Sequence, residues 1–189
     1  MLLLALAGYI LPWVTHPGSS LTLGALDLAE WTSLHPEERF FSPALQTPLL
    51  LRLPLLFITI MLSFARPRWF SAVGCLLLVM TALPPLDFFV EARGDANYRQ
   101  QFVLAVAAIA GAGLGLSGWL ARWRAWIVAL SGIAAAVTGI LGLLQARDYL
   151  IGFSMPVALG WGVAVMVIGV LGYAVMTVIG ITGQRPQPE

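Results

Sequence analysis

The sequence predicts an all-α, polytopic transmembrane bundle of about six spans, and three observations predict it. Hydrophobic residues fill 59% of the 189 positions and charged residues only 10%, giving a mean hydropathy of +0.88. A soluble domain carries roughly a quarter charged residues, so this chain lacks the polar surface that water demands. The apolar residues also fall in long runs nearly free of charge, and in lipid such runs satisfy their backbone only as helices.

The predicted spans are residues 1–14, 49–65, 69–83, 102–121, 126–146 and 157–181 of one membrane domain, 1–189. The first has no basic n-region and no Ala-x-Ala-like site after it, so it is expected to stay as an uncleaved span. It falls short of the roughly 20 residues a full crossing takes. Between the second and third spans lie only Arg66, Pro67 and Arg68, and between the fourth and fifth little more than Arg122, Trp123 and Arg124. Both links are tight, basic and free of acids.

The other connections hold the acids. The outer loop, 15–48, carries Asp27, Glu30, Glu37 and Glu38; the segment 84–101 carries Asp87, Glu91 and Asp95; Asp148 lies in the third. The positive-inside rule then makes the two basic links and both termini cytoplasmic, with 182–189 as a cytoplasmic tail. Trp69, Trp119, Trp123 and Trp126 are expected in a cytoplasmic aromatic belt, with Trp13 and Trp161 near the opposite interface. Within the outer loop, the mixed apolar spacing predicts a short interfacial helix over 25–34.

Composition also limits function. A formal charge of +1 creates no field that would gather nucleic acid. The lone cysteine, Cys75, allows neither an intrachain disulfide nor a thiolate cluster. His16 and His35 share the outer loop, away from the depth where span residues ligate haem, and a zinc site there would need Glu37 or Glu38 at a spacing that matches no recognised ligand set. The spans hold no paired carboxylates, and the chain has no phosphate loop, dinucleotide fingerprint or nucleophile elbow. No catalytic residue, cofactor or metal ligand is therefore expected, and the chain is not expected to be an enzyme by itself.

Two features remain. Arg52 is the one charge inside a spanning pattern, close to its outer end, where a guanidinium snorkels to the headgroups, pairs with Asp27 or Glu30, or anchors a lipid or quinone headgroup. Small residues also recur on single helical stripes: Gly111, Gly115 and Gly118, then Gly132, Ala136 and Gly139, with Gly162 and Gly169 as a weaker third. Such stripes let helix backbones approach closely in lipid. They are expected to serve packing, partly against other membrane chains.

The passage Gly8, Tyr9, Ile10, Leu11, Pro12, Trp13, Val14 resembles a pattern of small bacterial membrane proteins in which a first span ends in Leu-Pro-Trp before an outer loop. Taken whole, the chain resembles the cofactor-free accessory membrane subunits of electron-transfer complexes in green non-sulfur bacteria, in particular a peripheral subunit of alternative complex III, a menaquinol-oxidising assembly. The resemblance implies a multi-pass protein of the bacterial inner membrane, partnered by lipids and other integral subunits and serving photosynthetic or respiratory electron transport. In that family the haems, clusters and quinol pocket belong to other subunits, and no site residue carries over. The alternative is a small transporter or channel component, against which stand the scarcity of intramembrane charge and the lack of a broken helix pair. A lipid-acting enzyme would need a nucleophile beside Arg52, and the sequence offers no credible one.

Overall fold

The computed structural model describes residues 1–18, 20–36, 38 and 45–182. The chain is 76% helical, with eight α-helices among the described residues. They are α1 (Leu2–Ile10), α2 (Ala25–Ser33), α3 (Gln46–Ser63), α4 (Arg68–Ala82), α5 (Asp87–Val90), α6 (Ala96–Ser117), α7 (Arg124–Gly152) and α8 (Gly162–Thr182), and a 3-10 turn, Ala121–Trp123, leads into α7. The C-terminal tail and part of the outer loop, Glu37 included, lie outside the described residues.

Four helices are long and apolar enough to cross a membrane: α3, α6, α7 with its 3-10 lead, and α8. Six were expected, and the shortfall has a physical origin. With 15 residues, α4 reaches about 22 Å at about 1.5 Å per residue, and α1, with nine, only about 14 Å, against a hydrocarbon core of about 30 Å. Pro12 helps to end α1, since the residue before a proline is pushed out of the helical region. The chain then runs extended into β1 (Val14–Thr15), which pairs antiparallel with β2 (Thr22–Leu23) on one side and β3 (Ala158–Leu159) on the other. Val14 thus stands opposite both Leu23 and Leu159. Backbone bonds from Trp13 N to Leu23 O (2.9 Å), Gly160 N to Trp13 O (2.8 Å) and Gly162 N to Pro12 O (2.9 Å) satisfy the groups the helix gave up. Non-helical backbone survives in an apolar molecule only where protein covers it.

Helix α3 occupies the centre and packs against α1, α2, α4, α6 and α7, while α8 lies between α1 and α7. Leu51, Leu55, Ile58 and Met61 face the core from α3, Ala135, Leu143 and Leu150 from α7, and Met166 and Val170 from α8. The expected interfacial helix is α2, but it is docked, with Ala25, Leu28, Ala29 and Thr32 buried. Trp13, expected near the outer interface, is turned into the protein. It is fully buried, its Nε1 donates to Gly8 O at 2.9 Å, and its ring meets Tyr9 edge-on at 6.0 Å. Trp69, Trp119, Trp126 and Trp161 are exposed.

The small-residue stripes are filled from within the chain. A Cβ added at Gly111 would meet Ile60 of α3 at 2.8 Å, and one at Gly115 would strike Ser63. At Gly132 it would meet Ala174 Cβ and Val170 O, both at 3.2 Å, and at Gly139 Met166 Cε at 2.7 Å and Trp13 at 3.2 Å. Ala136 is buried on the same face. Gly118 is different: it ends α6 at φ 78°, a left-handed C-cap that glycine adopts without a Cβ clash. Gly111, Gly115, Gly132 and Gly139 therefore serve close packing within the chain, against α3, α8 and Trp13.

Candidate functional site

At one end of the bundle, α2, α3 and α6 converge on Arg52. Its guanidinium is buried, at 6% exposure, and Nη2 donates to Glu30 Oε1 at 2.7 Å, while the Glu30 side chain is 54% exposed. Glu30 is the partner that the sequence offered. Asp27, the other candidate, is turned back on its own helix, accepting from Gly24 N at 3.0 Å and closing the first turn of α2.

Three amides from the first turns of α6 complete the cluster. Gln100 accepts from Arg52 Nη1 at 3.0 Å and donates to Leu45 O at 2.9 Å. Gln101 donates to Glu30 Oε1 at 2.5 Å and Asn97 to Glu30 Oε2 at 3.1 Å. Their spacing of three and four residues puts all three on one helical face, and Asp95 fixes that face by capping α6 through Asn97 N (2.8 Å) and Tyr98 N (3.2 Å). One carboxylate thus receives three donors and matches one buried cation.

Below this cluster lies a cavity of about 240 Å³, bounded by Glu30, Arg52 and Gln101 at its polar end and by Leu55, Leu104 and Ala108 along its shaft. Thr59 and Thr81 also line it, but each hydroxyl donates to a carbonyl of its own helix, Leu55 O and Leu78 O, both at 2.8 Å. Neither has a base beside it of the kind that activates a nucleophile. Chemically, the arrangement can hydrogen-bond a polar head and shelter a short apolar stem.

A second buried polar group was not foreseen. Glu38 is 4% exposed, and its carboxylate accepts from Thr47 N at 3.2 Å and from the Thr47 hydroxyl, which also lies 3.0 Å from Gln145 Oε1. The lone Gln145 within an apolar run was the signal available for it. The histidines stand apart: His16 Nδ1 accepts from Gly18 N at 3.0 Å, and His35 stacks on Tyr149 with ring centroids 4.5 Å apart. Among the described residues, no three of His, Cys, Asp and Glu converge as metal ligands would.

The fold and this site define the chain as a helical protein with four helices able to span a membrane and a polar cluster at one end of them. No family model, characterised protein or solved structure matches it.

Proposed function

We propose that the chain is a non-catalytic accessory subunit of a larger assembly in a bacterial inner membrane, and that its Arg52 cavity seats the head of an uncharged membrane amphiphile. One observation carries the second part: the cavity joins an apolar shaft to a polar end whose buried cation is already matched by Glu30. An anionic head would compete with Glu30 for Arg52, and a cationic head would meet Arg52 itself. An uncharged head bearing carbonyl or hydroxyl oxygens takes the remaining guanidinium and amide protons without unbalanced charge. At about 240 Å³, on the order of eight waters at about 30 Å³ each, the cavity holds the head and the first carbons of a stem. The rest of the stem runs into the bilayer.

In this reading the chain crosses six times, α1 and α4 being short spans completed by extended residues, with both termini cytoplasmic. The acid-free Arg66–Arg68 and Arg122–Arg124 links support that orientation. The assembly is a quinol-oxidising electron-transfer complex, by resemblance to its accessory subunits, and a quinol is an uncharged amphiphile of the kind described.

Ala108→Phe fills the shaft without touching the Arg52 cluster, since Ala108 is buried and lines the cavity. The wild-type protein, purified in mild detergent and solvent-extracted, is expected to release about one equivalent of neutral amphiphile. Ala108→Phe is expected to release at least ~5-fold less at unchanged helicity. Equal amounts from both would contradict the reading.

A further inference from the structure

The opposite end of the bundle carries a feature that the proposed function does not use. We propose that Arg66, Arg68 and Arg124 form a binding pocket for a phosphate-bearing anion. The two basic links, far apart in sequence, meet there: a pocket of about 60 Å³ is lined by the three arginines together with Ser63, Phe64, Ala65, Gly115, Gly118 and Ala121. None of the residues lining it is acidic, so among the described residues three positive charges converge on one small space with no acid in its wall. Arg66 and Arg68 are exposed and Arg124 is half-buried. Its Nε is shut off from solvent and has no hydrogen-bond partner among the described residues.

Guanidinium charges gathered on one small pocket repel one another, and an anion held between them relieves that cost. Helix dipoles do not account for the cluster, because the ends of α3 and α6 and the starts of α4 and α7 all lie here and oppose one another. Arg68 leans on the glycine C-cap of α6, where a Cβ at Gly118 would come within 3.0 Å of Nη2. The volume equals roughly two waters at about 30 Å³ each, room for the oxygens of one phosphate. Guanidinium forks match phosphate oxygens in geometry as well as charge.

Phosphate reaches such a pocket from a lipid headgroup or from free anion in water. In the full-length purified chain, native mass spectrometry after exchange into vesicles of equal phosphatidylglycerol and phosphatidylcholine reads the first source. Competition by millimolar inorganic phosphate reads the second. Wild type is expected to retain phosphatidylglycerol at least ~5-fold over phosphatidylcholine, or to bind inorganic phosphate in its place; either result supports the pocket. Arg124→Gln is expected to abolish the preference and Arg68→Lys to keep most of it. Arg122→Gln, in the same link but outside the pocket and stacked 5.5 Å over Trp123, is expected to change nothing. Equal retention of both lipids with no response to phosphate would overturn the proposal, as would equal losses in Arg122→Gln and Arg124→Gln, which mark a diffuse basic surface. Circular dichroism of each variant separates lost binding from lost fold.

Discussion

Gly8→Leu is expected to prevent the folded bundle from forming, with an effect of at least about 3 kcal/mol, at the upper end of overpacking costs. Gly8 of α1 faces α8 so closely that a Cβ would lie inside contact distance of Met166 N and 2.7 Å from Met166 Cα and Val165 C. One turn away, the reciprocal contact is Gly169 of α8 against Ala5, whose Cα would be 2.6 Å from an added Cβ. In both places the obstacle is backbone, which no rotamer change relieves. Gly113, where an added Cβ meets nothing within 4 Å, is the control: Gly113→Ala should be neutral or stabilising by up to about 1 kcal/mol, as helix propensity dictates. Unfolding of the purified variants in one detergent checks the order. A Gly8→Leu protein as stable as Gly113→Ala would mean that α1 is not docked on α8 as described.

The Arg52–Glu30 pair is expected to respond asymmetrically. Glu30→Ala leaves a guanidinium of 6% exposure with Gln100 as its remaining partner described here. Breaking a fully buried pair costs about 3–5 kcal/mol, and because Glu30 is 54% exposed the figure here is discounted to about 2 kcal/mol. Arg52→Leu should cost about 1 kcal/mol or less, because the half-exposed Glu30 keeps Gln101, Asn97 and access to solvent. The two unfolding midpoints, measured side by side, settle the order. Equal losses, or a larger loss from Arg52→Leu, would show that the guanidinium is not the more buried partner.

Much of this fold was legible because hydropathy reports span position directly. The helices α3 to α8 that matter for crossing follow the apolar runs, with ends displaced by a few residues where polar side chains join a helix. Thus α6 starts at Ala96, six residues before its apolar run, since Asp95 caps it and Asn97, Gln100 and Gln101 are tied to α3 and α2. The same amides show why the site was only half legible. Arg52 stood out as a charge in lipid, whereas three uncharged residues beside it became partners only once α6 was seen to pack on α3. Pro12 marks the early end of α1 locally, but the extended pairing after it was hidden, because β1 pairs with Leu159, which is 145 residues from Val14, and no local pattern reports such a contact. The importance of Gly8 was likewise invisible in α1 alone. Its meaning comes from Gly169 and Met166 on α8, so the stripe that looked weakest in sequence carries a close backbone approach between two helices.

Membership of a larger assembly is tested most directly by purification of the native chain from its own membrane in mild detergent, followed by mass measurement of the intact particle. The 20.3 kDa chain is expected to travel with larger integral-membrane subunits, and any haem or metal in the particle to remain with those subunits when this chain is stripped away. A monodisperse single chain that retains a chromophore, or that moves a solute in vesicles, would contradict it.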